Sequence, residues 1–240
     1  MKENKAAKKW FKDWSNNYDR TLGKMARHHK LLEAVVRLSR VKRGDRVLDI
    51  GCGTGLLTLK FLSKADCMVT GIDNSREMLS IFSKKMKKLG LTKKVSGSLK
   101  DAALLNFKDN CFDIIASTVT LHHVIDKLPA IKKIYRAVKP GGRFILGDID
   151  LDTTGKLSDL KRLKRVMDYL VDELKLAVID GGEEALKRMF DNGKKHLLND
   201  GEYCVSFKQW AQFCRKAGFR KVKVTTLKEF HRFKILVAEK

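Results

Sequence analysis

The stretch "VLDIGCGTG", Val47 to Gly55, decides the fold of this chain. Its first residues complete the short apolar run "RVLDI" (46–50), which has the pattern of a buried strand. Glycines then stand at 51, 53 and 55, where they let the backbone turn tightly and approach a ligand closely. The spacing is not the Gly-x-Gly-x-x-Gly of dinucleotide binders, and it lacks the Gly-Lys-Ser/Thr ending of a P-loop. The stretch therefore predicts a buried strand that runs into a ligand-binding glycine loop.

Strand and helix signals alternate from this stretch to residue 149. Alternation of this kind predicts a doubly wound α/β fold of three layers, Rossmann-like, with helices on both faces of a mostly parallel sheet. Thr54 and Ser75 are expected to cap the first two helices of the alternation. The expected strands are 46–50, 67–73, 94–98, 111–119 and 143–149, and the expected helices are 55–65, 75–90 and 126–139.

The end of the chain breaks the alternation. Ser206 and Gln209 form the capping-box pattern of a further helix. Two strand-like stretches, 221–227 and 232–239, follow with only a short polar turn between them, so they must pair antiparallel. We therefore expect the last strand to be an antiparallel member of the sheet.

Residues 151–205 form an insertion with a helical pattern. The segment has a break at Gly181-Gly182, after which a second helix begins. We interpret it as a lid over the carboxyl edge of the sheet, and a helical pair packed elsewhere is the alternative. The apolar positions expected to form the buried stripe of the long helix are Leu157, Leu160, Leu163, Met167, Leu170, Leu174 and Val178.

Three more motifs follow the glycine loop in order: "GIDNS" (71–75), "KDAALLNFKDNCFDIIASTVTLHHV" (100–124) and "AVKPGGRFILGD" (137–148). Together with "VLDIGCGTG" they resemble the class I S-adenosylmethionine-dependent methyltransferases, in their small-molecule, methyltransferase domain 11-like branch. The resemblance is strong over 40–150. It implies one methyltransferase domain over 1–240, S-adenosylmethionine as the cofactor, and a small-molecule acceptor whose oxygen, nitrogen or carbon is methylated by in-line displacement.

Asp73 is the first candidate for contact with such a cofactor. It ends the second expected strand, 18 residues past Gly55, where a carboxylate can accept both hydroxyls of a ribose. The resemblance places Asp49 and the loop at the methionine amine and carboxylate, although Asp49 could instead hold the loop through backbone N–H groups. It also places Asp101 at the adenine amine and the Ala102 N–H at the ring. The full set of expected cofactor residues is Asp49, Gly51, Cys52, Gly53, Gly55, Asp73, Asn74, Asp101, Ala102, Ser117 and Thr118.

His122 and His123 follow the fourth expected strand, near the expected position of the methyl group. A base is needed only for an acceptor that arrives protonated, and a neutral imidazole suits that role near pH 7. We expect His122 to face the site and His123 the body of the fold. No metal site is expected, because adjacent histidines diverge and no third ligand has suitable spacing.

Tyr18 is the second catalytic candidate, with plain helix packing as its alternative role. It lies in "WSNNYDR" (14–20), which resembles the amino-terminal segment that folds over the cofactor in related enzymes, so 1–40 is expected to form a helical cover. In the insertion, "KKHLLNDGEY" (194–203) groups polar residues that could read the substrate or form a surface turn. These residues are His196, Asn199, Glu202 and Tyr203.

The net charge of +23 favours an anionic partner, but the basic residues are mostly lysine and are spread along the chain. Because of this charge, an RNA or protein methyltransferase is the alternative function, and a non-catalytic binding protein is a third. Trp10, Phe11 and Trp14 stand beside lysines in "AAKKWFKDW" (6–14), as in helices that contact a membrane surface, and cover of the cofactor is the alternative role of this segment. The start lacks a signal-peptide pattern and the five cysteines form no Cys-x-x-Cys pair, so a cytoplasmic location is expected.

Overall fold

The computed structural model describes residues 18–21, 25–198 and 202–240 of the chain. Three features named above lie outside these residues: the aromatic and lysine-rich segment 6–14, Asn199 and the side chain of His196. The described helices are α1 (Tyr18–Thr21), α2 (Ala26–Ser39), α3 (Leu56–Lys64), α4 (Arg76–Lys88), α5 (Lys127–Ala137), α6 (Leu160–Asn192) and α7 (Phe207–Ala217). The strands are β1 (Arg46–Ile50), β2 (Met68–Asp73), β3 (Val95–Leu99), β4 (Phe112–Thr118), β5 (Val138–Ile149), β6 (Lys221–Thr226) and β7 (Phe233–Glu239).

The strands form one seven-stranded sheet in the order β3-β2-β1-β4-β5-β7-β6. All neighbouring pairs from β3 to β5 are parallel, whereas β7 is antiparallel to both β5 and β6. The predicted fold class and the antiparallel last strand are confirmed. The strand order reverses between β1 and β4, and the carboxyl ends of these two strands lie at the point where open α/β sheets bind their ligands.

Successive residues of β1 serve opposite faces of the sheet, as the pleat requires. Val47 belongs to a core shared with α2, α3 and α4, and Leu48 belongs to a core shared with α5 and α7. Both side chains are fully buried. The sheet is therefore covered on both faces, which is why its central strands read as almost continuous apolar runs.

Helix α2 belongs to the body of the fold. Its Leu31 and Val35 are fully buried, and both contact the position that a side chain at Gly147 in β5 would occupy. The sequence predicted a helical cover over 1–40. Residues 26–39 pack on the sheet, so α1 is the described part of this segment that lies at the site.

The long helix of the insertion is interrupted at Gly182, where φ is 63° and ψ is −154°, in agreement with the expected break. The expected apolar stripe was only partly right: Leu170 is buried, but Leu160, Met167 and Val178 are 80%, 49% and 53% exposed. Apolar residues occur at helical spacing on more than one side of this helix, so the pattern alone does not select the buried side. The buried side chains of the described part of this helix are Arg162, Val166, Tyr169, Leu170, Glu173, Ala177 and Ala185.

The helix caps follow the sequence at two of three positions. Ser75 accepts a hydrogen bond from the Met78 N–H, and Ser206 forms the full capping box with Gln209. Thr54 is not a cap: Gly55 stands at that position of α3, and the Thr54 hydroxyl donates to Asp19 instead.

Candidate functional site

The glycine loop turns away from the end of β1 with positive φ angles at Gly51 (71°) and Gly53 (51°), which L side chains rarely adopt. A Cβ atom at Gly51 would lie 2.2 Å from Thr120 Oγ1, so this position also requires the close approach that glycine allows. The backbone N–H groups of Gly51 and Cys52 both donate to the Ile72 carbonyl in β2. The loop is thus fastened to the neighbouring strand.

Asp73 connects the end of β2 to the loop. Its Oδ2 accepts from the Gly53 N–H and its Oδ1 from the Ser75 N–H, each at 2.9 Å. Burial raises the pKa of Asp73, and these backbone donors oppose that rise. The Asn74 backbone is a third donor to this carboxylate. The two oxygens together offer about four lone-pair positions, so capacity remains for a further hydroxyl donor.

A cavity opens at this edge of the sheet. Asp101 lies in its wall, where its Oδ1 accepts from the Ala103 N–H and caps the short 3₁₀ turn Ala102–Leu104. The expected site residues that line the cavity are Tyr18, Gly51, Gly53, Asp73, Asn74, Asp101 and Ala102. Most of the residues selected from the sequence therefore surround one space, although they come from four segments of the chain.

Asp49 supplies the clearest test of whether this site fits a cationic ligand. The side chain is 1% exposed, and its Oδ2 accepts a 2.7 Å hydrogen bond from the Thr58 hydroxyl. Among the described residues, its Oδ1 has no hydrogen-bond partner. Burial raises the pKa of Asp49 to about 7. The hydrogen bond from Thr58 opposes this rise, and the negative charge of Asp73 adds to it. An ammonium group at Oδ1 would satisfy this oxygen, so the site fits the amino-acid end of S-adenosylmethionine.

Tyr18 lies over the glycine loop, with its ring 3.9 Å from the position of a Cβ at Gly53. Helix α1 is held there by Asp19, which accepts from the Thr54 hydroxyl at 2.6 Å and from Lys85 Nζ at 2.7 Å. Burial and then the carboxylates of Asp73, Asp19 and Asp49 raise the pKa of Tyr18, so the phenol stays protonated. It can donate a hydrogen bond at neutral pH but cannot act as a base.

Several residues expected at the cofactor face elsewhere. The Ser117 hydroxyl is fully buried and donates to the Ile50 carbonyl at 2.9 Å. A Cβ at Gly55 would meet Met86 and Phe82 of α4, and Cys52 is buried beside Gly71. Burial raises the pKa of the Cys52 thiol well above its usual value, consistent with a filler and not a nucleophile. The expected residues outside the cavity lining are Asp49, Cys52, Gly55, Ser117, Thr118 and His122.

The expected orientation of the two histidines is reversed. His122 is buried, with its Nδ1 2.7 Å from Asp148 Oδ1 and its Nε2 3.0 Å from Glu202 Oε2. Burial lowers the pKa of His122, but the charges and hydrogen bonds of Asp148 and Glu202 outweigh burial and raise it to about 10. His123 lines the cavity instead. Both residues belong to a 3₁₀ turn, Leu121–His123, which directs the second ring toward the cavity.

The two arguments against a metal site do not hold in the structure. The rings of His122 and His123 are 4.0 Å apart between centroids, and Glu202 Oε2 lies within 3.3 Å of both. Glu202 comes from the end of the insertion, so no spacing along the chain reveals it as a partner. This residue, selected from the sequence as a polar lid residue, lies beside the histidines.

The cavity wall also contains eight residues that the sequence analysis did not select for the site: Ile72, Met78, Lys100, Ala103, Val119, Thr120, Val124 and Ile125. Val119 has a φ of 47°, which is rare for a β-branched residue, and its N–H donates to the Gly147 carbonyl. Thr120 lies against Gly51 and hydrogen-bonds the Thr118 carbonyl. Lys100, Val119 and Thr120 lie one or two positions past the end of β3 or β4, so their place after a strand end was the available signal.

The described helices include none with both the length and the apolar character required to cross a bilayer.

Comparison with known proteins shows which protein family has this sequence and fold. A family model described as "Methyltransferase domain" matches residues 41–199, which is more than half of the chain. The match includes the glycine loop, Asp73, Asp101 and both histidines.

Two curated relatives are similar over part of their length. The chain is 32% identical to 27-O-demethylrifamycin SV methyltransferase of Amycolatopsis mediterranei, over 57% of this chain and 51% of that protein. It is 36% identical to demethylmenaquinone methyltransferase of Staphylococcus aureus, over 60% of this chain and 62% of that protein. The matched region thus spans between half and two thirds of these relatives.

A solved structure shares the fold at low identity. It is phosphoethanolamine N-methyltransferase 2 of Haemonchus contortus in complex with S-adenosyl-L-methionine, with a TM-score of 0.66 and 19% identity. The match covers 96% of this chain and 60% of that one. At this identity the likeness supports the arrangement of strands and helices and nothing finer.

Proposed function

The chain belongs to the methyltransferase domain family, and from this premise we propose that it transfers a methyl group from S-adenosylmethionine to a small-molecule acceptor. One observation carries the proposal: the glycine loop, Asp73 and Asp101 surround a single cavity at the carboxyl ends of the parallel strands. Ligands of open α/β sheets bind at that edge, where the strand order reverses.

Each part of the cofactor has a matching group in the protein. The Asp73 carboxylate, with the acceptor capacity that its backbone donors leave, suits the ribose hydroxyls. Asp101 and the Ala102 backbone suit the polar edge of adenine, and Ile72 and Met78 in the cavity wall suit its faces. Asp49 suits the ammonium group, because a cation would satisfy its buried Oδ1. Tyr18, a protonated phenol over the loop, suits the carboxylate.

The cofactor, when bound, supplies an electrophilic methyl group on a sulfonium. The tasks left to the protein are to position the acceptor in line with that methyl group and to exclude water. His123 lines the cavity and is the histidine placed to meet an acceptor. His122 is not available as a base, because both of its ring nitrogens lie against carboxylates.

The insertion 151–205 acts in this proposal as the lid that completes the acceptor site. Its end reaches the cavity edge: the Tyr203 N–H donates to the His122 carbonyl, and Glu202 contacts both histidines. Thr153, at the start of the insertion, bonds the backbone of residues 202 and 204 through its hydroxyl. The two ends of the insertion therefore meet beside the cavity.

An RNA or protein substrate is the alternative, and the net charge of +23 is the observation that favours it. Phosphate contacts of a basic surface would add affinity for RNA without requiring any change in the cavity. The curated relatives favour a small molecule, since the names of both refer to small-molecule substrates.

Transfer of labelled methyl groups separates these functions. The protein is incubated with labelled S-adenosylmethionine and one class of acceptor at a time. The acceptors are a demethylmenaquinone, a demethylated rifamycin, bulk tRNA and total protein. We expect label in a small-molecule fraction, its loss in Asp73→Asn, and its retention in Asp109→Asn, which changes an exposed carboxylate paired with Arg136. Label confined to RNA or protein would contradict the small-molecule proposal, and label in none of the fractions from a protein that binds the cofactor would leave the third function, a binding protein.

A further inference from the structure

Three side chains at the cavity edge form a compact set of nitrogen and oxygen donors. His122, His123 and Glu202 each offer one such atom, and the three atoms lie within 4.8 Å of one another. Glu202 Oε2 is 3.0 Å from His122 Nε2 and 3.3 Å from His123 Nδ1. His122 and Glu202 are buried, and His123 is partly buried in the cavity wall.

These separations match the spacing of ligands around a small metal ion. Zinc lies about 2.0–2.2 Å from nitrogen and carboxylate oxygen ligands in a tetrahedral site, so neighbouring ligand atoms are roughly 3.3 Å apart. Both distances to Glu202 are already close to that value. Among the ion pairs of the described residues, no other carboxylate oxygen lies this close to two imidazoles.

In a metal-bound histidine, the ring nitrogen that does not bind the metal commonly hydrogen-bonds a carboxylate. The nitrogen of His122 that faces away from Glu202 has such a partner. Its Nδ1 lies 2.7 Å from Asp148 Oδ1, and Asp148 is fully buried at the end of β5. The same Asp148 oxygen accepts from the Ile149 N–H, which fixes the carboxylate. A carboxylate on the far nitrogen of a metal-bound histidine orients the ring and increases its basicity as a ligand.

The backbone holds all three donors in place. The two histidines lie on one 3₁₀ turn, and the buried Lys127 ammonium donates to the Val124 and His122 carbonyls at the end of that turn. Glu202 is brought to the turn by the bond between the Tyr203 N–H and the His122 carbonyl. Little chain entropy remains to be lost when an ion binds.

We propose that His122, His123 and Glu202 bind a divalent transition-metal ion, Zn²⁺, at the wall of the cavity, with Asp148 as the outer partner of His122. Two histidines and one carboxylate are a zinc ligand set that leaves a fourth position open. The ion joins the end of the insertion to the turn after β4, so it fastens the lid to the sheet.

The ion also narrows the class of acceptor, an extension that rests on the proposed methyltransferase function. An open position on zinc binds an oxygen or sulfur donor and lowers its pKa. The acceptor class is therefore a hydroxyl or thiol compound, whose acidic atom is held at the ion.

Metal binding is tested without cofactor or acceptor, so its outcome is independent of methyl transfer. The full chain, freed of metal with a chelator, is titrated with Zn²⁺ against a chromophoric chelator, and separately with Co²⁺ while its visible spectrum is recorded. We expect about one ion per chain. The Co²⁺ spectrum should show visible d–d bands of a four- or five-coordinate site, without the thiolate charge-transfer band that the five cysteines would produce.

Two conservative variants test the ligands. His123→Gln and Glu202→Gln should each lose the bound ion, and Asp148→Asn should weaken Zn²⁺ binding by about 10–100-fold. The controls are His231→Gln and Glu229→Gln, which change exposed side chains on the turn between β6 and β7. Circular dichroism of the metal-free forms confirms that each variant is folded.

Wild-type protein that takes up no more zinc than the two ligand variants would overturn the proposal. So would a Co²⁺ spectrum dominated by thiolate ligands, or Zn²⁺ affinity that is unchanged in folded His123→Gln and Glu202→Gln.

Discussion

The carboxylate of Asp73 accepts a hydrogen bond from the backbone N–H of Gly53, with 2.9 Å between the two atoms. This bond ties the end of β2 to the glycine loop, so the loop and the proposed ribose partner form one unit. Because Asp73 Oδ1 also accepts from the Ser75 N–H, the carboxylate is held from both sides. A site held in this way loses little freedom on binding, which favours affinity.

Asp49 should make cofactor affinity depend on pH. Its pKa is raised to about 7, chiefly by burial, and an ammonium ligand binds its ionised form. Affinity for S-adenosylhomocysteine should therefore be full above that pKa and fall by up to about tenfold per pH unit below it. Calorimetric titrations across this range measure the effect. Asp49→Asn should bind more weakly with a flatter pH dependence, and a wild-type affinity that is constant across the range would rule out this role.

Gly51 should be less tolerant of alanine than Gly44. Both have positive φ, 71° and 84°, but a Cβ at Gly44 meets nothing within 4 Å, whereas one at Gly51 overlaps Thr120. We expect Gly44→Ala to lower the free energy of unfolding by about 1 kcal/mol from backbone strain. Gly51→Ala should cost a further 1–3 kcal/mol or so because of the overlap. Urea denaturation compares the two, and equal losses would show that Thr120 does not constrain the loop.

His28 should make stability fall in mild acid. Burial, with help from His29 and Arg27, lowers the pKa of His28 from 6.5 to about 4, so the folded protein keeps it neutral where the unfolded chain binds a proton. The stabilisation that neutral His28 gives is complete at pH values above the pKa of His28 in the unfolded chain. As the pH falls toward its pKa in the folded protein, the free energy of unfolding decreases by about 3 kcal/mol in total.

Denaturant unfolding at a series of pH values between those two pKa values tests this slope. His28→Gln should show a shallower decline than wild type, whatever its stability at neutral pH. His231→Gln, which changes an exposed histidine, should keep the wild-type slope. Parallel curves for all three proteins would mean that His28 does not titrate with a lowered pKa.

The ion pair between Arg27 and Glu173 should contribute more to the stability of the fold than an ion pair on the surface. It joins α2 to α6 at 3.5 Å, with side chains only 3% and 2% exposed. Glu173→Gln leaves a buried guanidinium without a counter-charge and should cost about 3 kcal/mol in free energy of unfolding. Glu33→Gln, which breaks the exposed pair with Lys60, should cost less than about 1 kcal/mol.

A double variant isolates the electrostatic part of that loss. Arg27→Met with Glu173→Leu removes both charges and should recover much of the stability lost in Glu173→Gln. If the double variant is no more stable than the single one, packing and not the unpaired charge explains the cost.

The sequence was sufficient for the fold because the relevant signals are local. The apolar run before the glycine loop, the cap at Ser75 and the capping box at Ser206 each depend on residues within a few positions. The short turn between β6 and β7 likewise requires antiparallel pairing. The family, predicted from four motifs in order, is confirmed.

The orientation of the histidines could not be predicted in this way. His122 is held by Asp148 and Glu202, which are 26 and 80 positions away, and no periodic pattern links them. The buried side of α6 depends in the same way on distant partners, since Glu173 is buried against Arg27 of α2. Contacts between elements, rather than propensities within them, decide both features.

Binding of S-adenosylhomocysteine to the full chain, measured by isothermal titration calorimetry, tests the central claim most directly. Wild type should bind it at one site, and Asp73→Ala should lose about 1–3 kcal/mol of binding free energy, because charge-assisted hydrogen bonds are removed. Asp109→Asn, an exposed carboxylate variant, should bind like wild type. No binding by folded wild type, or equal binding by wild type and folded Asp73→Ala, would contradict the assignment of this cavity as the cofactor site.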